Sequence, residues 1–243
     1  LESVEPFLFN LFNDPEILSI PSIFRYPLAK FISKRRAPIA KNIYKEIGNK
    51  SPILELTQEQ AASLENSLST KGNYKCFVVM RCWHPRAKDV IKKVKEFNPE
   101  EIILLPLYPQ FSAATSGSSI NEWNDLCKKE SFNIKTKIIC CYPTENNFVK
   151  SHANLIKKTL QNVENKNFKL LFSAHGLPEI KIKKGDPYQW QVEETVKKIM
   201  MELKDENLDH TISYQSRVGP LKWIGPSTDD EIIKYSKEKK GIV

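Results

Sequence analysis

The chain has 243 residues, of which 40% are hydrophobic, and 37 Lys and Arg against 29 Asp and Glu give it a net charge of +8. It is long enough to bury a substantial core as one large or two modest domains. Mean hydropathy is −0.43, and no apolar run reaches the ~18–20 residues that a membrane-spanning helix needs. The charge excess does not read as a nucleic-acid footprint. Lys92, Lys93, Lys95, Lys157, Lys158, Lys197 and Lys198 are dispersed over helical patterns, and no zinc-finger or RNP-type motif accompanies them. A solvated basic surface with weak attraction to anionic membranes is the simpler reading.

Residues 1–35 are rich in Phe, Leu and Ile but carry Pro6, Pro15, Pro21 and Pro27, which are expected to break the segment repeatedly. They read as helices covering a sheet. From Tyr74 onward strand and helix patterns alternate. Strands are expected at Cys76–Met80, Ile102–Leu105, Thr136–Cys141, Lys169–Ser173 and Thr211–Gln215, with another opening at Gly241. Helices are expected at Ala87–Phe97, Ser118–Lys129, Asn147–Val163, Tyr188–Leu203 and Thr228–Lys239. Prolines 99, 106, 143, 178 and 187 fall between these elements, as breakers should. The pattern predicts an α/β fold built on parallel sheets. The loop 106–117, with its two prolines and a glycine, is the natural hinge between two domains. There is no G-x-G-x-x-G after a strand and no G-K-[ST] loop, so a dinucleotide or nucleoside triphosphate has no support. Of the five cysteines, Cys76, Cys82, Cys127, Cys140 and Cys141, none shows C-x-x-C spacing. Cys76, Cys140 and Cys141 lie in apolar runs and read as core residues of a reducing compartment. No signal or transit peptide is seen in the sequence, which opens at Leu1 rather than methionine.

The most informative stretch is Leu170-Leu171-Phe172-Ser173-Ala174-His175-Gly176-Leu177-Pro178, followed by Gly185-Asp186-Pro187-Tyr188. An apolar run ends at a histidine, which places that residue at the carboxyl end of a central strand, where open parallel sheets hold their ligands. An imidazole titrates near neutrality and also binds transition metals. Alone, this leaves His175 as a general base, a metal ligand, or a merely structural residue. Five further segments stand in order around it: Lys34-Arg35-Arg36-Ala37-Pro38, Gly48-Asn49-Lys50-Ser51-Pro52, Met80-Arg81-Cys82-Trp83-His84-Pro85, Pro106-Leu107-Tyr108-Pro109-Gln110, and Ser213 through Asp229. Together, and over nearly the whole chain, they resemble the ferrochelatases, bacterial-type enzymes that insert ferrous iron into a porphyrin to make haem.

The resemblance implies two doubly wound parallel-sheet domains of the chelatase-like kind with a cleft between them, here 1–115 with an apolar lip and 116–243 with the histidine. It implies a lyase that makes protohaem from Fe²⁺ and protoporphyrin IX. Coproporphyrin as substrate, and a porphyrin-binding chain without turnover, are the alternatives. His175 matches the family histidine and is expected to act as base, metal ligand, or both. Arg35 and Arg36 match the arginines on the propionate side, with Ser51 as a hydroxyl partner. Trp223, beside Pro220 and Gly225-Pro226, matches the aromatic that faces the macrocycle. Tyr188 and Arg81 are weaker candidates, His84 is expected to be structural, and His152 and His210 are expected to be bystanders. No cofactor is expected beyond the two substrates. An iron–sulfur cluster has no support, because Ala113 stands where some animal members have cysteine. The family's Ser-x-His-x-Glu-Thr-Leu segment would follow Gly241 and a glycine-turn strand would precede Leu1, so the sequence reads as truncated at both ends. The expected location is the cytoplasm, with peripheral contact at the inner membrane and no nucleic-acid partner.

Overall fold

The computed structural model describes every residue except 165, 166, 206, 207, 218 and 220. Pro220, one of the residues flanking Trp223 in the expected loop, therefore lies outside the described residues. The chain divides into two units, Leu1–Leu104 with Ala113–Ile138, and Leu105–Ser112 with Ile139–Val243.

The first unit opens with three helices, α1 (Val4–Phe12), α2 (Ser22–Glu46) and α3 (Ile53–Leu68). The prolines fragment this region only in part: Pro15 and Pro21 lie in the break between α1 and α2, whereas Pro6 and Pro27 fall within helices. Pro6 occupies the first turn of α1, where an amide has no intrahelical partner anyway. Pro27 and Pro38 lie inside α2. There α2 is held by side-chain packing rather than by propensity: Ala37 is buried with Val4 and Leu8 of α1, with Phe7, Phe12, Ala40 and Tyr44 around them. Next come α4 (Ala87–Phe97), β1 (Glu101–Leu104), a π-helical turn over Ala113–Gly117, α5 (Ser118–Lys129) and β2 (Lys135–Ile138). β1 and β2 pair in parallel from Glu101↔Lys135 to Leu104↔Ile138. Val90, Ile91 and Val94 recur on one face of α4 and pack with Ile102 and Trp123. Asn98, left-handed at φ 51°, ends that helix.

The strand expected at Cys76–Met80 is not formed. The Cys76 N–H donates to Glu65 Oε1 at 2.6 Å, and the Met80 N–H to the Pro85 carbonyl at 2.7 Å. Those donors are thus used locally, and an isolated Met80↔Arg86 bridge is all the pairing described there. The cysteine expectation also fails. β2 stops at Ile138, three residues short of the expected Cys141, so Cys140 is exposed while Cys76 and Cys141 are half-buried.

The second unit holds α6 (Asn146–Leu160), β3 (Phe168–His175), the short α7 (Glu179–Lys183), α8 (Tyr188–Leu203), β4 (His210–Gln215), α9 (Thr228–Lys237) and β5 (Gly241–Ile242). The strand order is β4-β3-β5, all parallel, with β3 in the middle. Because β3 connects through α8 to a strand on one side and β5 lies on the other, the carboxyl end of β3 is where an open α/β sheet holds a ligand. Val149 and Ala153 of α6 and Ile199 and Leu203 of α8 bury Leu170 at the opposite end. The α/β architecture with parallel sheets expected from the sequence is thus present.

Candidate active site at the end of β3

β3 ends at His175, and the residue that follows has no room for a side chain. Gly176 donates its N–H to the Gln215 carbonyl at 2.8 Å. A Cβ on it would lie 2.8 Å from that carbonyl oxygen and 3.3 Å from the Trp223 ring. The missing methyl lets the indole come against the backbone immediately after the histidine. Residues 177–179 then run antiparallel to 222–224. The Ile224 N–H donates to the Leu177 carbonyl at 3.0 Å, the Glu179 N–H to the Lys222 carbonyl at 2.9 Å, and Pro178 bridges Trp223. The Arg217 guanidinium donates to the Ile224 carbonyl at 2.9 Å. It lies so close to Gly225 that a Cβ there would be 2.9 Å from Nη2. Trp223 is thereby held in a braced loop rather than on a free one.

Tyr188 begins α8 and is half-buried. Burial pushes its phenol up from the ordinary value, partly offset by a hydrogen bond from the His175 backbone. Asp186 fixes this helix start. Its Oδ1 accepts the Tyr188 N–H at 3.1 Å, and its Oδ2 accepts the Ser112 hydroxyl at 2.8 Å. Beneath them lies Tyr214, 2% exposed, in a cluster with Val192 and Ile224. His175, Tyr188 and Trp223, three of the residues singled out in the sequence, therefore meet at one end of one sheet.

The imidazole of His175 is exposed, and its Nδ1 lies 2.9 Å from the Gly176 carbonyl oxygen. A carbonyl only accepts, so this contact requires the proton on Nδ1. The lone pair of the neutral ring is then on Nε2, free of its own backbone. That tautomer can take a proton or bind a divalent ion through Nε2. Among the described residues, no group of three or more His, Cys, Asp and Glu side chains comes together as a metal cage.

The other candidates are placed as follows. Arg35 and Arg36 lie exposed on α2 in the first unit, with the Arg36 guanidinium 5.9 Å from the centre of the Phe12 ring. Ser51 is exposed and accepts the Ile53 N–H at 3.3 Å at the start of α3. His84 pairs with Asp89 at 3.3 Å, His152 lies on α6 against Phe148, and His210 opens β4 with its ring against Phe172.

Sequence reasoning missed the surroundings of Arg81. Its Nη2 is 2.9 Å from Asp14 Oδ2, its Nη1 3.3 Å from Glu122, and its Nε donates to Ser118 Oγ at 2.7 Å. Ser118 donates in turn to Asp14 at 2.6 Å, and Arg86 reaches Glu122 at 2.9 Å. Asp14, Arg81, Ser118 and Glu122 line a pocket of about 550 Å³ in the first unit. The Arg81 guanidinium, the Ser118 hydroxyl and the Glu16 N–H together make the burial of this 3%-exposed carboxylate tolerable. Asp14 stands in an apolar N-terminal stretch, far in sequence from its partners, and nothing local marks it.

An exposed imidazole, a braced indole and a tyrosine thus meet at the carboxyl end of the middle strand of a parallel sheet in an α/β protein. The family model described as Ferrochelatase matches residues 1–243. The ferrochelatase of Pelagibacter ubique is 65% identical over all of this chain and 71% of its own length. That of Rickettsia felis is 51% identical over all of this chain and 70% of its own, and that of Rickettsia bellii 47% over all of this chain and 68% of its own. The chain belongs to the ferrochelatase family.

Proposed function

We propose that this protein inserts Fe²⁺ into protoporphyrin IX to give protohaem, the last step of haem biosynthesis, with His175 as the group that receives a pyrrole proton. The observation carrying this is the Nδ1–Gly176 carbonyl contact, which leaves the lone pair of the neutral ring on Nε2. Insertion replaces two N–H protons by one divalent ion. A neutral imidazole accepts a proton in the range where it is itself half-titrated, so it serves as a general base without a large energetic penalty. The same lone pair can instead meet the incoming ion, since imidazole is a good ligand for ferrous iron; the two acts are sequential at one atom, not simultaneous. Trp223 offers an aromatic face to the macrocycle, and Tyr188 a phenol, protonated at neutral pH, as a hydrogen-bond donor.

In this reading Arg35 and Arg36 meet the propionates, because guanidinium forks donate paired, charge-assisted hydrogen bonds to carboxylates, with Ser51 adding a hydroxyl. Two adjacent guanidiniums suit the two carboxylates of protoporphyrin better than the four of coproporphyrin. Beyond the two substrates the reaction needs no cofactor. α2 carries Phe24, Leu28 and Phe31 on one face, 66, 39 and 62% exposed. They support peripheral membrane contact at the cytoplasmic side, while no helix among the described residues is long and apolar enough to cross a membrane.

The test is anaerobic metallation with Fe²⁺ by the purified protein, comparing protoporphyrin IX with coproporphyrin III. The expected result is a higher kcat/KM for protoporphyrin, and a KM raised about 10-fold or more for that substrate in an Arg35→Ala, Arg36→Ala double variant. A preference for coproporphyrin, or porphyrin binding without turnover, would establish the corresponding alternative instead.

A further inference from the structure

Two thiols stand side by side where the chain leaves β2, and the proposed reaction uses neither. Cys140 Sγ lies 3.1 Å from Cys141 Sγ, with Cys140 exposed and Cys141 half-buried. One S–H therefore points at the other sulfur. The Cys140 thiol is held above its ordinary value, first by this hydrogen bond and then by burial. Cys141 also accepts from the Gln191 side-chain amide, at 3.6 Å from Nε2. The orientation of that amide is fixed by its other end, because Gln191 Oε1 accepts the Phe111 N–H at 2.7 Å. Cys141 thus has both the neighbouring sulfur and the Gln191 amide against it, while Cys140 faces solvent beside it.

The spacing decides what such a pair can hold. Neighbouring α-carbons are about 3.8 Å apart across a trans peptide, below the ~4.4–6.8 Å that an unstrained disulfide spans. A direct S–S bond is therefore disfavoured. One bridging atom lengthens the path between the two sulfurs and removes that conflict. Thiolates select soft acceptors. The remaining thiols, Cys76, Cys82 and Cys127, are separate in sequence and offer no adjacent pair, so they are poorer competitors for a centre that takes two thiolates.

We propose that Cys140 and Cys141 form a chelating dithiol site for a soft centre that takes two thiolates, of which trivalent arsenic is the representative. With an organic arsenoxide, two S–H bonds and the arsenic–oxygen bond break and two As–S bonds form. The oxygen and the two protons leave as one water. Arsenic stays trivalent, so no oxidant or reductant is consumed.

The probe is phenylarsine oxide, added in equimolar amount to the reduced, folded protein and followed by intact-mass spectrometry and tryptic mapping. The expected result is one phenylarsenic group per chain, located on the tryptic segment from Ile138 to Lys150, resistant to excess monothiol and lost on adding a 1,2-dithiol. Cys140→Ser and Cys141→Ser should each lose the adduct, while Cys127→Ser should keep it. Mapping on the unaltered protein decides the question even where a variant fails to fold. An adduct found on other cysteines, or one that monothiol strips from the 138–150 segment, would overturn the proposal.

Discussion

At Tyr214 a single polar atom is out of place. The phenol is 2% exposed, and its oxygen is buried without a hydrogen-bond partner. Burial, with smaller contributions from the Glu193 carboxylate and Tyr188, pushes its pKa well above the ordinary ~10. The folded protein therefore keeps a proton that the unfolded chain releases above pH ~10, so the folded state binds more protons there and stability falls as pH rises. Tyr214→Phe removes both the orphaned hydroxyl and this linkage. At pH 7 it should be neutral or stabilising by about 1 kcal/mol. Above pH 10, urea unfolding of the unaltered protein should lose stability faster than the variant does, by up to about 1.4 kcal/mol per pH unit. Parallel curves would contradict this assignment. The convergence of three residues of the proposed site was legible in sequence because each carries a local sign: His175 ends an apolar run, Tyr188 follows a Gly-Asp-Pro turn, and Trp223 lies just before Gly-Pro. The Asp14–Arg81 pair and the exposure of Cys140 were not, because both depend on where a strand stops or on partners distant in the chain.

Among the elements, α4, α5 and α8 begin and end at the residues their amphipathic pattern predicts. Strands were legible as apolar runs, but their ladders were not. The run at Cys76–Met80 hands backbone donors to Glu65 and Pro85 instead of to a neighbouring strand. The prolines of α2 misled because tertiary packing on α1 outweighs a lost amide. One hydroxyl ties three elements of the second unit. Thr228 Oγ1, at the start of α9, is 2.9 Å from both Ser173 Oγ of β3 and Ser213 Oγ of β4. Thr228→Val keeps the volume but strands the buried Ser213 hydroxyl, while the exposed Ser173 turns to water. It should cost about 1–3 kcal/mol, seen as a lower denaturation midpoint with an unchanged m-value. A midpoint within error of the unaltered protein would show that these hydroxyls find other partners.

At the scale of the whole molecule, a net charge of +8 and the exposed Phe24–Leu28–Phe31 face act together. In the proposed membrane contact, the charge draws the protein toward anionic lipid, and the apolar face retains it. Cosedimentation with phosphatidylglycerol vesicles should fall at high salt, and a Phe24→Ser, Phe31→Ser double variant should reduce it at every salt concentration. Equal retention of the double variant would exclude α2 from that contact. The family match covers residues 1–243, yet the chemistry proposed here rests on one atom of one side chain, Nε2 of His175. The most direct measurement is therefore the rate of ferrous insertion into protoporphyrin by His175→Ala beside the unaltered protein, with porphyrin binding measured for both. Loss of a general base should lower kcat by about 10²–10⁴-fold while leaving porphyrin affinity within a few-fold. A variant that metallates porphyrin at the unaltered rate would contradict the assignment of His175.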